Sequence, residues 1–288
     1  MADIKPILIG AVLFLAVVLM WQVATITGFQ VTRPSNVTIG ATAPTVTTPV
    51  CGASITLSAC ANTTQFCSAL VTDLEGHEDV TGVNATFYKD ATTVGDGSEI
   101  ADERYTVACA KGAATNLTTY NYTCSFTTIR YFADTTDTWS ARIAATDAGA
   151  LTGSTTSTDC TTINNLTALD VVETNINFGT QTAGTNTTTF VAEKNKNCGS
   201  KYMSVNVKGV DMTCTTGTIP VAWLKYDLTN ATAWGSATSL TTGDVNSSLV
   251  VIRSQDDLGT NGSTYWAIGI PLTGVKGACN GTITFTAV

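Results

Sequence analysis

The chain has 288 residues, a formal net charge of −8 and a pI near 4.5, and charged side chains make up only 12% of it. So acidic and charge-poor a surface repels nucleic acid and anionic lipid, which excludes nucleic acid as a partner. Nine cysteines without a CxxC pair, and a single histidine, His77, argue against zinc and for disulfides in an oxidising exterior.

Residues 7–26 read ILIGAVLFLAVVLMWQVATI and carry no charge. Twenty helical residues reach about 30 Å, the thickness of a bilayer core. The run is longer than the apolar core of a cleaved signal peptide. It predicts an N-terminal hydrophobic α-helix within residues 1–28, serving as a filament core or a membrane anchor. Gly10, Ala11, Ala16 and Ala24 are the small residues expected to let such helices pack closely. Residues 29–49 hold Pro34, Pro44 and Pro49 among Thr, Val and Ala, the composition of an extended spacer.

A first domain is expected over residues 50–160. Alternation predicts strands at 54–58, 83–88, 120–126 and 139–145. Val83, Ala85 and Phe87 share one face, as do Tyr120, Tyr122, Cys124 and Phe126, and Trp139, Ala141, Ile143 and Ala145. Tyr122 precedes Cys124 by two residues, the spacing of a tyrosine corner. The stretch 139–149, ending Thr-Asp-Ala-Gly, resembles the closing strand of immunoglobulin-like surface modules. A second domain is expected over residues 161–288, with strands near 166–172, 187–192, 202–208, 222–228, 249–253, 266–270 and 282–287. Here Ile176-Asn-Phe-Gly179, Gly184, Phe190 and Asn197-Cys-Gly199 resemble small sandwich domains of cell-surface proteins, which implies structure or adhesion rather than chemistry. The expected fold class is mainly β: an N-terminal hydrophobic α-helix followed by two antiparallel β-sandwich, immunoglobulin-like domains.

Six cysteines precede residue 161, enough for three bonds within the first domain. Cys109 and Cys124 flank a turn-rich stretch and suit a cross-strand bond. Cys60–Cys67 would close a small loop, and Cys51–Cys160 would tie the ends of the domain. In the second domain Cys198–Cys279 is preferred, leaving Cys214. An odd total requires one thiol that is free or joined to another chain.

Asn-x-Ser/Thr occurs at Asn36, Asn62, Asn84, Asn116, Asn121, Asn165, Asn186, Asn230, Asn246, Asn261 and Asn280. Ser and Thr are roughly a quarter of the chain, so chance would make about a quarter of the asparagines sequons. About two-thirds of them are, an excess that predicts N-linked glycans.

Chemistry is hard to find. The stretch Asp73-Leu-Glu-Gly-His-Glu-Asp79 groups carboxylates around a glycine, as calcium loops do. Its spacing is not that of an EF-hand, so a solvated turn is the preferred reading and no metal is expected. Asp134, Asp137 and Asp147 form a looser group with the same reading. No nucleophile elbow, P-loop, dinucleotide fingerprint or HExxH motif is present, so neither a catalytic residue nor a cofactor is assigned. Trp223 and Trp266 lie in alternating runs and read as core, whereas Trp234 lies in a polar loop and is the better candidate for a contact surface.

The layout of a short apolar N-terminal helix followed by a Thr-rich, glycosylated β head resembles archaeal type IV pilins and archaellins. Lys5-Pro6 stands near the place where bacterial-type pilins carry a glutamate. The resemblance implies an extracellular, non-enzymatic filament subunit. Its partner would be further copies of itself, joined by a helix–helix core. The membrane would be met during biogenesis, and other cell surfaces afterwards. The alternative is a membrane-anchored surface-layer or adhesion glycoprotein that does not polymerise through its helix.

Overall fold

A computed structural model describes residues 13–14, 33–37, 40–91, 102–230, 233–254 and 261–288. The chain divides into two units, Met1–Gly40 and Ala41–Val288. Of the first, Leu13 and Phe14 are helical and exposed, and residues 33–37 are exposed without regular structure. The rest of the stretch 1–28, including Gly10, Ala11, Ala16 and Ala24, lies outside the described residues. Among the described residues no helix is long and apolar enough to cross a membrane. Among the described residues the fold class is therefore corrected to a β-rich fold of several sheets, in which the expected N-terminal apolar helix is not found. The expectation rested on hydropathy. A run apolar on every face has no 3.6-residue periodicity, so it signals that the segment must leave water and not which conformation it takes.

Among the described residues the second unit begins with ten strands. They are β1 (Thr45–Val46), β2 (Val50–Cys51), β3 (Ser54–Ile55), β4 (Thr63–Thr72), β5 (Val80–Lys89), β6 (Arg104–Ala108), β7 (Ala110–Ala114), β8 (Thr119–Ile129), β9 (Thr138–Asp147) and β10 (Thr152–Ile163). One sheet has the order β1-β4-β8-β7, with β2 also on β4; the other is β3-β10-β9-β5-β6. Their facing residues form one core. Phe87, Tyr105 and Trp139 stack at its centre, with ring centroids 4.9 and 5.7 Å from the indole. The Trp139 Nε1–H donates to the Asp134 carbonyl at 2.9 Å. The alternation of β5, β8 and β9 produces this core directly, because period-2 side chains place every second residue inside.

Other features differ from expectation. The sandwich is not wholly antiparallel, since β3 pairs parallel with the end of β10. The 139–149 stretch closes nothing: β9 lies mid-sheet between β5 and β10. Thr45–Val46, inside the expected spacer, is already a strand on β4.

Eleven strands follow. They are β11 (Leu169–Val171), β12 (Val191–Asn197), β13 (Met203–Gly209), β14 (Met212–Thr216), β15 (Thr218–Ile219), β16 (Leu224–Asp227), β17 (Thr238–Ser239), β18 (Val245–Val251), β19 (Asn261–Ile268), β20 (Lys276–Asn280) and β21 (Ile283–Ala287). A one-turn 3-10 helix, Val221–Trp223, precedes β16. These strands make a five-stranded sheet, β11-β12-β19-β16-β17, and two three-stranded sheets, β18-β13-β21 and β15-β14-β20. A second core fills the space between them, with Trp266, Val205, Val207 and Leu224 at its centre. The second half is thus three sheets, not the two of an immunoglobulin-like sandwich.

The two cores are fastened within one unit. Cys60 is bonded to Cys198, and the Cys60 N–H donates to the Cys198 carbonyl at 3.4 Å. At this joint Ser200 and Leu166 exchange hydrogen bonds of 2.9 Å. A Cβ on Gly199 would stand 2.3 Å from the Leu166 carbonyl oxygen, so only glycine allows that approach. Arg253, just after β18, donates to the Phe132 carbonyl and to Asp102 Oδ2, both at 3.1 Å.

Candidate functional site

Cysteine pairing follows strand register. Cys51 lies opposite Cys67 across β2 and β4, and Cys67 lies opposite Cys124 across β4 and β8. The bonds are Cys51–Cys67 and Cys109–Cys124, so four cysteines form a row across one sheet. Cys109 sits where the chain leaves β6 of one sheet and enters β7 of the other, and its bond pins that crossing. Cys214 and Cys279, opposed on β14 and β20, form the third bond.

Three expected pairings are corrected. Cys60–Cys67 does not form, because Cys60 sits in a turn with φ of 53° and reaches Cys198 instead. Cys51–Cys160 does not form, because Cys160 belongs to β10 in the opposite sheet. Cys198–Cys279 does not form, because β14 brings Cys214 to Cys279. Cys160 is the free thiol. Burial pushes its pKa up to about 11, with the Asp90 carboxylate adding to the shift, so it is a poor nucleophile at neutral pH. Four disulfides mark an oxidising compartment.

The acidic residues regroup. A ten-residue strand spans about 33 Å, so β9 holds Asp137 and Asp147 far apart. Asp134 instead joins Lys89 at 3.0 Å and lies 3.7 Å from Arg253 Nη1. Burial works against its charge, but the Thr136 hydroxyl and amide and the Lys89 ammonium outweigh it and hold the carboxyl below its ordinary range. Asp102, beside Arg253, goes the other way: burial raises it more than the guanidinium lowers it.

At the other end of the sandwich Asp147 meets Asp73 and Asp79, and carboxylate oxygens of the three lie within 4.8 Å of one another. His77 takes no part. Its ring lies 4.1 Å from Tyr120, and its Nδ1 is 2.8 Å from Glu78, which also pairs with Lys111. A second grouping, Cys60, Asp170 and Cys198, offers no thiolates, because its sulfurs are bonded to each other.

Trp266 is fully buried, and Trp223 is partly buried against the second core. Trp234 is no open platform. Trp223 lies 6.0 Å from it and Lys225 covers its ring at 4.2 Å. No family model matches the chain, and no curated protein is significantly similar to it.

One carboxyl was not signalled by sequence. Glu193, on β12, lines a groove of about 540 Å³ together with Glu173, Ile176, Phe178 and Met212. It is 1% exposed, and burial raises its pKa. Its Oε1 accepts the Glu173 N–H at 3.1 Å, which ties it to the main chain. The chain's one imidazole lies in the other sandwich, so no histidine is available here to activate a hydroxyl. Glu193 shares the buried face of β12 with Asn195 and Asn197, and an inward face made of polar residues leaves no apolar alternation to find.

The sequon asparagines lie on the surface: all are exposed except Asn121, which is half-buried. Asn195 and Asn197, which are not sequons, are buried. Asn116 Oδ1 accepts the Thr118 N–H at 2.9 Å and Asn246 Oδ1 accepts the Ser248 N–H at 2.8 Å. These bonds do not use Nδ2, the atom a glycan joins.

Proposed function

We propose that this chain is a structural, non-enzymatic component of the outer cell surface, a glycosylated subunit of an archaeal-type extracellular filament. The observation that carries the reading is the fastening of the two cores by Cys60–Cys198 and by Arg253 on Asp102 and Phe132. A body that transmits load gains from a covalent and ionic joint, whereas a hinge-bending enzyme loses by it. Surface sequons, a Thr-rich exterior and low charge support a place outside the cell. The charge-free run 7–26 must be withdrawn from water, and further copies of the chain or the membrane would do so.

Shearing cells and imaging the pelleted supernatant tests the proposal. Filaments containing this chain at a mass above that of the bare polypeptide are the expected result. A chain that stays with the membrane until detergent is added would make it an anchored surface glycoprotein instead.

A further inference from the structure

We infer that Asp73, Asp79 and Asp147 form a calcium site that locks the β4–β5 crossing of the first sandwich. Asp73 follows β4 in one sheet, and Asp79 precedes β5 in the other. Val80, next to Asp79, is the register partner of Asp147 at the end of β9. The three carboxylates therefore close the end of the sandwich where the chain passes between sheets.

Their surroundings set them apart from a solvated acidic turn. Asp73 is 0% and Asp147 2% exposed. Each uses one oxygen to hold the main chain: Asp73 Oδ1 accepts the Glu75 N–H at 3.0 Å, and Asp147 Oδ1 accepts the Leu151 N–H at 2.8 Å. The other oxygen, Oδ2 in both residues, is buried and accepts no hydrogen bond. Among the described residues no ion pair involves Asp73, Asp79 or Asp147. Uncompensated like charges at this depth are costly unless a cation joins them.

The donor set selects the cation. All three ligands are hard carboxylates, and His77 is turned toward Tyr120 and Glu78. Oxygens bound at 2.3–2.6 Å to one Ca²⁺ span up to about 5 Å, and carboxylate oxygens of the three lie within 4.8 Å of one another, inside that span. Mg²⁺ keeps several waters, and buried oxygens fixed by the main chain suit it poorly. The loop is built to stay: Gly76 has φ of 120°, Asp79 N–H donates to the Gly76 carbonyl at 2.9 Å, and Thr42 donates twice to Glu75 Oε1.

The test is thermal unfolding of the full chain in mild detergent after EGTA treatment and dialysis. Adding Ca²⁺ to a hundredfold excess over its Kd should raise Tm by about 5–10 °C. Mg²⁺ should need at least about a tenfold higher concentration for the same shift. Asp147→Asn and Asp73→Asn should abolish the Ca²⁺ shift, whereas Asp137→Asn, at the far end of β9, should keep it. A wild-type Tm that does not move up to about 10 mM Ca²⁺, above the affinity range of extracellular calcium modules, would overturn the inference whether or not the variants fold. So would equal responses to Mg²⁺ and Ca²⁺, or an undiminished shift in folded Asp147→Asn.

Discussion

The two halves of the body reach stability by different routes. The first packs two five-stranded sheets on one core, with a stack of Phe87, Trp139 and Tyr105 at its centre and two disulfides in a row across one sheet. The second divides its strands among three sheets, keeps a small satellite core around Phe190 and Ala237, and leaves grooves beside Ile176, Phe178 and Met212. A continuous core concentrates the cost of a defect at a few aromatic positions. A divided one spreads it over many smaller contacts.

Truncation should break this symmetry most strongly. Trp139→Ala removes a fully buried indole and orphans the Asp134 carbonyl, so it should cost about 3–5 kcal/mol. Trp223→Ala, which empties a half-exposed position in the second half, should cost about 1–2 kcal/mol. Chemical denaturation of each variant followed by circular dichroism measures both. Equal losses would show that the two cores do not differ in this way.

Next in size is the joint. Replacing Cys60 and Cys198 together with serine opens a cross-link between residues 138 apart and should cost about 2–4 kcal/mol. It should also separate one unfolding transition into two, because the halves then melt on their own schedules. A single undivided transition in calorimetry would mean that Arg253 and the Leu166–Ser200 bonds suffice to couple them.

The smallest effect is that of pH, and it contrasts two aspartates of the first half. Asp134 has a lowered pKa, so its contribution is present above pH 3.8 and is lost as pH falls through its folded value. Asp73 has a raised pKa, so without Ca²⁺ its charge begins to cost stability above pH 3.8, and the cost is complete once pH passes its folded value. The Glu75 and Asp79 carboxylates share that end of the sandwich and deepen the cost. Asp134→Asn should flatten the acid limb of a Tm–pH profile, and Asp73→Asn the limb just above it.

Much of the first half was legible. Val83, Ala85 and Phe87, the even-numbered face of residues 120–126, and Trp139, Ala141, Ile143 and Ala145 all recur at every second position and supply or pack against the core. β4 and β10 were missed: β10 is mostly Ser and Thr with both faces half in water, so no apolar face marks it. In the second half, predicted strands slid by several residues, as at β12, or lost their first residues to the Val221–Trp223 turn, as at 222–228, the rest of which forms β16. The acidic stretch 73–79 was visible as a stretch but not as a site, since its third member is brought in by β9.

By itself the sequence determined the β character, the oxidising chemistry of the cysteines, the surface asparagines and which faces of β5, β8 and β9 point inward. These depend on side-chain type and a period of two, both local. Only the tertiary structure decided which cysteines bond, that β9 is a central strand, that Cys60 and Arg253 join two cores, and that Asp147 meets Asp73 and Asp79. Those outcomes depend on strand order and register, which bring together residues whose separation along the chain carries no trace of their contact.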